Sequence, residues 1–539
     1  MRKQNMKLNL FLIIVLTISI KANTQTVESL SPYVLIVQPI ILQSDEGTFP
    51  ASMVLPEELV DRAYSKAGVD FHFFEPIYFN NTKARDGLIN LDSIVVIASK
   101  EGYIKGQHDI VNMFFVNSID GDKGPLGRGM LDGNITFISL GSDTEEKNIN
   151  MQAFVIAHEV GHNLSLKHAI DDINVPNSIP NIQGDGEYKD RIDPKYSLNQ
   201  YQIDIIHQSQ LIHSRIDFLE KKRASLAILD ESYEPYFSQL EKREIEAFTN
   251  SNVPSDNIDT IRDYAKEKFS TAVLDFTDDE KECISYVVNK VNYILLKNGI
   301  SMMARQPWRF IKIEDWLCGG FAHTRGTYII LSQKHINHLT KTWSNNMSMD
   351  DEQKLVEDLG GLLVHEQMHS LQRTFKSKFN NLYTKYWGFV KAQVVADISI
   401  KKNQVSNPDA PIAEWLISNP QDTNSFYWIR TLLKEKDGIP AMGADFMDRV
   451  FVIKNQNGIY STVKGKDGIL EYTTLDSIDF YKNAFPTSRG LDHPNEISAY
   501  MFSDYFKSLA SKSTYNVQTS GKASANLNLF IEWVENEMK

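Results

Sequence analysis

Four residues near position 160 have the types and the spacing of a metal site. His158 and His162 are four residues apart, so in an α-helix both imidazoles lie on one face and can reach one ion. Glu159 follows the first histidine, where its carboxylate can face a water on that ion. His168 comes six residues after His162, far enough for the chain to leave the helix and return a third ligand. Three protein ligands with one open position are typical of catalytic zinc.

A second motif of the same kind lies about two hundred residues later. His365 and His369 again share one helical face, and Glu366 again follows the first histidine. No third histidine is close, so we predict Glu496, in the first turn of a later helix, as the third ligand. The alternative for Glu496 is a solvated charge, which helix N-termini favour. The sequence therefore predicts two zinc ions per chain.

The two glutamates that follow the first histidines are the predicted catalytic residues. Beside a metal-activated water, Glu159 or Glu366 takes the water proton and later gives it to the leaving amine of a peptide bond. The alternative for the first motif is a surface helix with unrelated histidines. That alternative leaves the order of residue types unexplained, whereas the hydrolytic mechanism gives each of them a role.

The stretch HEVGHNLSLKH at 158–168 resembles the metzincin signature, HExxHxxGxxH. The predicted strands before it, which end in a glycine-rich loop and ITFISL, are also similar to that clan, and the resemblance covers about residues 31–208. It implies that His158, His162 and His168 bind zinc and that Glu159 is the general base.

Two departures from the metzincin pattern bear on the first site. Ser165 stands where the clan has a glycine that turns the chain, and a positive φ at serine costs roughly 1–2 kcal/mol. The clan also places a methionine beneath the metal, but this chain has no methionine between Met151 and Met302. Pro180 occupies the corresponding place. Zinc binding is expected to survive both changes, while turnover is less secure at this site than at the second.

The second motif resembles the gluzincins of the thermolysin kind, in which a glutamate on a downstream helix completes the site. The runs VHEQMHSLQR and HPNEISAYMF, with the NPDAP turn at 407–411, are also similar to a group of exported bacterial zinc proteins. Tyr500 stands where gluzincins carry an aspartate that orients a ligand histidine. Three further residues are candidates to stabilise an oxyanion, each with a cap, surface or core role as its alternative: His493, Arg325 and Tyr328.

The length of the chain limits the number of domains, and its charge limits the classes of partner. A chain of 539 residues is too long for one core and predicts two or three domains. The formal net charge is −13, and without residues 1–22, which hold four basic and no acidic residues, it is −17. An acidic surface disfavours nucleic acid and anionic membrane as partners but says little about the substrate. The peptidase chemistry of the two motifs predicts a protein or peptide substrate.

The first 22 residues have the pattern of a secretory signal. Three basic residues precede an apolar run from Leu8 to Ile20, and Ala22 is a small residue suited to cleavage. No later segment approaches about 18 uninterrupted apolar residues, so no integral membrane segment is expected in the mature chain. We therefore predict an exported protein, periplasmic or extracellular. Cys283 and Cys318 either pair or stay free in the core.

The periodicity of the chain predicts an α+β fold. Strands are expected at 33–39, 71–74, 93–98, 111–116 and 135–140, followed by the first metal-site helix at 148–164. A helix is expected to begin at Ser197 and to run past residue 215, and another to span 350–373 with the second motif. Gly360 and Gly361 inside that helix cost about 1 kcal/mol each, which indicates close packing against a neighbour.

These elements predict three parts after the signal segment at 1–22. Residues 23–210 form a metzincin-like domain with a mixed sheet, 211–257 form a charged helical connector, and 258–539 form a mainly helical, gluzincin-like domain. The function predicted is that of an exported zinc metallopeptidase with two HExxH sites. The alternatives are that only one site is catalytic, or that the chain is a secreted zinc-binding scaffold.

Overall fold

The first half of the chain is built on a seven-stranded sheet around one long strand. The computed structural model describes residues 30–106, 108–121, 124–139, 146–176, 178–344, 346–513 and 525–539, so the predicted signal segment at 1–22 lies outside the described residues. The strands of this sheet are β1 (Tyr33–Gln43), β2 (Val69–Phe73), β3 (Ile77–Asn80), β4 (Val111–Phe115), β5 (Gly127–Gly129), β6 (Ile135–Ile138) and β7 (Ile212–Ser214). Their order is β2-β1-β4-β6-β5, with β3 and β7 also paired to β1.

Strand β1 is buried along almost its whole length, as expected for a parallel strand covered on both faces. It pairs with β2 as far as Val37 and with β3 from Ile40 onward. Pro39 falls between these two registers, so its missing N–H removes no ladder bond on that edge. The edge strand β5 runs antiparallel to β6, whereas β4 and β6 are parallel.

The helices of this half cover the sheet. They are α1 (Glu57–Tyr64), α2 (Thr82–Arg85), α3 (Leu91–Lys100), α4 (Glu146–Asn163), α5 (Tyr188–Arg191) and α6 (Gln200–Ile206). Helix α4 is the predicted metal-site helix, and its apolar residues pack with β1, β2 and α1 in one core. A mixed sheet with an overlying metal-site helix is thus confirmed.

The prediction of a strand at 93–98 is wrong, because this segment lies within α3. The side chain of Asn90 accepts a hydrogen bond from the Ser93 backbone N–H at 2.8 Å and caps the helix. Ile94 and Ala98, one turn apart, are buried against the sheet. The run of valine and isoleucine favours a strand by local propensity, but the cap and the helical spacing of the buried residues decide the outcome.

The long helix predicted from Ser197 is also wrong beyond Ile206. After α6 the chain forms β7, which pairs with β1, and then β8 (Ile216–Phe218), which pairs with a strand of the second sheet. Arg215 is the single residue between them. Its N–H donates to Pro32 O and its carbonyl accepts from Trp308 N, both at 2.9 Å. Strands at the predicted helical connector therefore join the two halves.

The second sheet is small, with five short strands. The elements from the connector to this sheet are β8, α7 (Lys221–Ala227), α8 (Lys242–Thr249), α9 (Ile258–Thr271), β9 (Val273–Leu274), α10 (Asp278–Lys297), α11 (Ser301–Arg305), β10 (Trp308–Ile313), β11 (His323–Arg325) and β12 (Tyr328–Ser332). The strand order is β11-β12-β10-β8, and β9 pairs with β10. Cys283 and Cys318 are both buried and free, in separate apolar clusters.

Two long antiparallel helices form the core of the second half. The helices after β12 are α12 (Gln333–Leu339), α13 (Met349–Thr374), α14 (Lys376–Asn381), α15 (Ile398–Asn403), α16 (Asp479–Lys482), α17 (Pro494–Ala510) and α18 (Ala525–Glu537). Helix α13 carries the second motif and packs on α10 and α17. A Cβ at Gly360 would lie 3.0 Å from both the Phe506 ring and a Val291 methyl. The close packing predicted from the glycines is confirmed.

A third sheet completes the second half and was not anticipated from the sequence. Its strands are β13 (Phe389–Lys391), β14 (Val394–Val395), β15 (Trp415–Ser418), β16 (Ser425–Leu433), β17 (Phe446–Gln456), β18 (Ile459–Thr462) and β19 (Tyr472–Thr473). Their order is β13-β15-β16-β17-β18-β14, with β19 beside β17.

Within the described ranges, no helix is both long and apolar enough to cross a bilayer.

Candidate metal centres

The three histidines of the first motif meet at one point. His158 and His162 project from the last turns of α4, and His168 returns to them after the helix has ended. The Nε2 atom of His168 lies 3.2 Å from Nε2 of His158 and 3.1 Å from Nε2 of His162. One nitrogen from each ring thus lies within 4.8 Å of the other two, as one shared cation requires.

Main-chain carbonyls orient two of these rings. Nδ1 of His158 donates to Ile182 O at 2.6 Å, and Nδ1 of His162 donates to Leu166 O at 2.7 Å. Because a carbonyl only accepts, each Nδ1 carries the proton and each Nε2 keeps a lone pair for a metal. Burial lowers the pKa of His158 to about 4, so this ring is neutral at pH 7. The two α4 histidines are held in the tautomer of metal ligands.

Ser165 adopts the left-handed conformation that its place in the motif demands, with φ of 67°. Its N–H donates to His162 O at 2.9 Å, and the next N–H, of Leu166, donates to Gly161 O at 2.8 Å. This turn ends α4 and brings the Leu166 carbonyl to His162. The Ser165 hydroxyl also donates to Asp132 Oδ1 at 2.9 Å. A serine therefore makes the turn for which the resembled clan uses glycine.

The segment that follows the third histidine supports α4 at the place where the clan has its methionine. Pro180 is only partly buried, but Ile182 two residues on is fully buried in the core below α4. The Gln183 side chain donates to His158 O at 2.7 Å, and the main-chain carbonyl of Gln183 accepts from Ala169 N at 2.8 Å. Support for the site comes from this main-chain segment and the buried isoleucine.

Glu159 lies between α4 and the edge strand β5. Its Oε2 accepts a hydrogen bond from Gly129 N at 2.7 Å, and burial raises its pKa to about 7. The strand approaches so closely that a Cβ at Gly129 would lie 2.0 Å from the Glu159 carbonyl oxygen, and one at Gly127 would lie 2.5 Å from Glu159 Cγ. The two glycines are therefore required for the contact between β5 and the predicted base.

The second motif forms a comparable cluster with a carboxylate as its third member. His365 and His369 lie one turn apart on α13, with their Nε2 atoms 3.2 Å apart. Glu496, in the first turn of α17, places Oε2 at 3.5 Å from His365 Nε2 and Oε1 at 3.8 Å from His369 Nε2. The structure thus brings together the three predicted ligands, although Glu496 is more than a hundred residues away in sequence.

Side-chain amides orient the ligands of this second cluster. Gln372 Oε1 accepts from His369 Nδ1 at 2.9 Å, and its Nε2 donates to Asn495 O and Ser498 Oγ, both at 2.9 Å. Asn407 Nδ2 donates to Glu496 Oε1 at 2.7 Å. Burial lowers the pKa of His369 to about 4, so it too is neutral at pH 7. Sequence reasoning did not identify Gln372 or Asn407, and only Gln372 had a signal, its spacing three residues after His369.

Glu366 is buried beside a second carboxylate. Thr324 Oγ1 donates to Glu366 Oε2 at 3.0 Å, while Thr324 N donates to Asp409 Oδ1 at 2.6 Å. Burial, together with the charges of Asp409 and Glu496, raises the pKa of Glu366 well above its usual range. Oxygen atoms of Glu366 and Asp409 and a nitrogen of His369 lie within 4.8 Å of one another. Asp409, in the NPDAP turn, was not among the predicted site residues.

A cavity of about 550 Å³ opens in front of the second cluster. His365, Glu366 and Glu496 line it, together with Tyr500, whose ring lies 4.4 Å from that of His365. Tyr500 therefore packs against a ligand rather than accepting its Nδ1 proton as the gluzincin aspartate does. His323 also lines the cavity: its Nδ1 donates to Phe321 O at 3.0 Å, and its buried Nε2 has no partner among the described residues.

The three predicted oxyanion residues have other roles. His493 caps α17, with its Nδ1 accepting from Asn495 N at 3.1 Å and its Nε2 donating to Ile412 O at 3.3 Å. Arg325 lies over the Tyr236 ring and donates to Asp230 O, and the Tyr328 hydroxyl donates to Asp109 Oδ2 at 2.6 Å. None of the three lines the cavity. The oxyanion prediction is wrong for all of them, because each polar group is used in capping or in core packing.

The donor sets of the two clusters suit zinc. Three imidazole nitrogens, or two imidazoles and one carboxylate, are the ligand sets of open zinc sites, whereas calcium and magnesium prefer oxygen ligands only. Within each cluster the Nε2 atoms lie 3.1–3.2 Å apart, close enough together to bind one zinc ion. Both clusters therefore fit a zinc ion held by three protein atoms.

Comparison with known proteins adds little to this geometry. No protein-family model and no curated protein match the chain. Among solved structures, it is similar to archaemetzincin from Methanopyrus kandleri, with 14% sequence identity and a TM-score of 0.23. The match covers 32% of this chain and 95% of archaemetzincin. The chemistry proposed below rests on the side chains described above.

Proposed function

We propose that the protein is an exported, zinc-dependent metallopeptidase that holds two zinc ions and hydrolyses peptide bonds at its second site. The observation that carries this proposal is the cavity at the second cluster. There Glu366, His365 and Glu496 line one cavity of about 550 Å³, within the range typical of ligand pockets. A hydrolytic site needs this combination of an open metal position, an adjacent base and room for substrate.

Each residue of the second site has a role in this mechanism. His365, His369 and Glu496 hold the metal, which when bound polarises the scissile carbonyl and lowers the pKa of a water. Glu366 takes the proton of the attacking water and transfers it to the leaving amine. The Thr324 hydroxyl, which donates to Glu366 Oε2, fixes the direction of that carboxylate. Gln372 and Asn407 keep the ligands in place.

For the first site we propose zinc binding by His158, His162 and His168, with Glu159 as its base if it turns over. The hydrogen bond from Gly129 N holds the Glu159 carboxylate against β5. Both predicted bases are held by a hydrogen bond, so the preference for the second site as the main catalytic one rests on the cavity that its residues line. Retention of glutamate in both motifs disfavours a purely structural role, which needs no base.

The test combines metal analysis with two matched substitutions. The mature chain is purified, its zinc is measured by mass spectrometry, and hydrolysis of a mixed peptide library is followed in Glu366→Gln and Glu159→Gln. We expect two zinc ions per chain, and a loss of about 10²–10⁴-fold in the rate for Glu366→Gln. A smaller loss is expected for Glu159→Gln. Hydrolysis that neither substitution alters would overturn the peptidase mechanism, and fewer than two zinc ions would overturn the double-site proposal.

A further inference from the structure

One face of α17 forms a wall of the second cavity that runs away from the metal cluster. Glu496, Tyr500, Ser503 and Lys507 all line the cavity, and their spacing places them on one side of the helix. Helix α13 runs antiparallel beside it. The Ser503 hydroxyl donates to Gly361 O at 2.7 Å and fixes the two helices together. The cavity therefore extends from the ligands along both helices.

Lys507 lies in a space that a glycine leaves open. A Cβ at Gly361 would be 2.4 Å from Lys507 Cε, so the lysine chain crosses α13 directly over this residue. Gly361 is one turn before His365, about 6 Å along the helix. Lys507 has no ion-pair partner among the described residues. Because Gly361 has no side chain, it leaves room for the Lys507 ammonium group one helical turn from the metal cluster.

Arg489 reaches the same part of the cavity from the loop before α17. Its guanidinium lies 4.4 Å above the Tyr500 ring, which in turn lies 4.4 Å from the His365 ring. Gly490 permits this approach: its φ is 63°, and a Cβ there would be 2.6 Å from Glu496 Cβ. The contact of Arg489 with Asp504 is long, 3.7 Å, and partly exposed, so it leaves the guanidinium able to bind a ligand.

Arg489 and Lys507 are the arginine and the lysine among the residues that line the cavity, so they carry its permanent positive charges. Glu366, Asp409 and Glu496 belong to the metal cluster, and Asp358 is exposed. Asp492 is partly buried just before α17, and burial raises its pKa to about 7. The opposite wall is apolar, and its residues are Phe248, Phe321, Val405, Met442 and Phe446. A substrate in this space meets a metal cluster, an apolar wall and two cations.

We propose that Lys507 and Arg489 bind a carboxylate of the substrate, one or two residues beyond the scissile bond. This inference rests on the proposed peptidase function and names the substrate class of its second site. A peptide advances about 3.3–3.6 Å per residue, which matches the separation of about one helical turn between His365 and Lys507. An arginine fork and a lysine together suit a carboxylate, and hydrogen bonds between charged groups are about twice as strong as neutral ones.

The carboxylate has two sources, the α-carboxylate at the end of a peptide and the side chain of an acidic residue. Two pairs of probes separate them: acetyl-Ala-Phe-Ala against its C-terminal amide, and acetyl-Ala-Phe-Glu amide against acetyl-Ala-Phe-Gln amide. Binding is measured by calorimetry on the full, zinc-loaded chain carrying Glu366→Gln, which suppresses turnover. Affinity is then read without hydrolysis, so failure of this inference is distinguishable from failure of the proposed function.

We expect the charged member of one pair to bind roughly tenfold or more tightly. Lys507→Gln and Arg489→Gln should each reduce that preference, and the double variant should abolish it. Lys507→Arg should retain most of it, and Lys507→Glu should reverse it. Lys100→Gln, which removes an exposed lysine that does not line the cavity, is the matched control. Equal affinity within both pairs would overturn the inference, as would a preference that persists in a folded, zinc-loaded double variant.

Discussion

The two metal clusters hold similar ligands by different means. In the first, carbonyls of the main chain orient His158 and His162, and all three ligands lie within residues 158–168. In the second, the amides of Gln372 and Asn407 orient His369 and Glu496, and the ligands come from two distant helices. A carbonyl cannot be substituted, whereas an amide can. The first cluster is therefore part of the backbone fold, and the second depends on particular side chains.

The clusters also differ in their exposure to solvent. About half of the His168 side chain, 52%, is exposed, while the three ligands of the second cluster are exposed by 10% or less. The motif that is complete in sequence therefore has the more exposed ligand set, and the motif that takes its third ligand from a distant helix has the buried one.

Removing an orienting amide should produce the largest difference between the clusters. Gln372→Met leaves the buried Nδ1 of His369 without an acceptor, so we expect a 10–100-fold loss of zinc affinity at the second cluster only. Competition with a chromophoric chelator measures this loss. Gln367→Met, on the same helix but bonded to Gln306 O and Pro307 O, is the control and should leave affinity unchanged. Equal behaviour of the two variants would contradict the contrast.

A methyl group on the edge strand should affect the first cluster alone. In Gly129→Ala the new Cβ meets the backbone of Glu159, which cannot rotate away, so we expect a loss of about 1–3 kcal/mol in the free energy of unfolding. Urea denaturation measures it. Gly184→Ala, whose Cβ would meet Ala169 and Asn181 side chains at 3.3 and 3.4 Å, should lose less than about 1 kcal/mol. A second-cluster zinc affinity that falls with Gly129→Ala would mean that the clusters are not independent.

A chelator should remove zinc from the two clusters at different rates. Because His168 is half exposed, a chelator can reach the first zinc directly, and we expect two phases of release whose rates differ several-fold. Stopped-flow absorbance with a coloured chelator reports both phases. His168→Ala should delete the fast phase and leave the slow one. Release of all zinc in one phase would show that exposure does not govern exchange here.

Relief of the strained turn should have the smallest effect. Ser165→Gly removes a left-handed serine, worth roughly 1–2 kcal/mol, but also loses the bond to Asp132 and adds chain entropy to the unfolded state. We expect a net gain of at most about 1 kcal/mol, seen as a small rise in Tm. Ser165→Ala keeps the strain and should not gain. A loss of stability in Ser165→Gly would show that the hydroxyl contact dominates.

The local parts of the site could be predicted from the sequence. Spacing alone placed His365 and His369 on one face of a helix, and the capping pattern placed Glu496 at the start of another. Their partners could not be found in this way, since Asn407 and Asp409 reach the cluster only through the packing of distant segments. The opposite error concerns His493. This histidine lies near the site and is predicted to stabilise an oxyanion, but its ring caps helix α17.

The fold shows the same division between local and long-range information. Helix α13 lies close to its predicted bounds, 350–373, because its cap and its apolar period are local features of the sequence. The third sheet was missed, although β16 and β17 are rich in aromatic and β-branched residues. The second metal motif predicts a helix, and this half was therefore predicted to be mainly helical. The predicted domain boundaries at 210 and 257 stay predictions, although β7, which follows the first of them, pairs with β1 of the first sheet.

Arg215 gives the molecule a mechanical property. It is the one residue between a strand of the first sheet and a strand of the second, and its side chain donates to Ser31 O, Arg305 O and the Asp70 carboxylate. Because the connection is only one residue long, neither sheet can move or unfold relative to the other without breaking the hydrogen bonds of β7 or β8. Heating should therefore give a single cooperative transition, in which zinc bound in either half protects both.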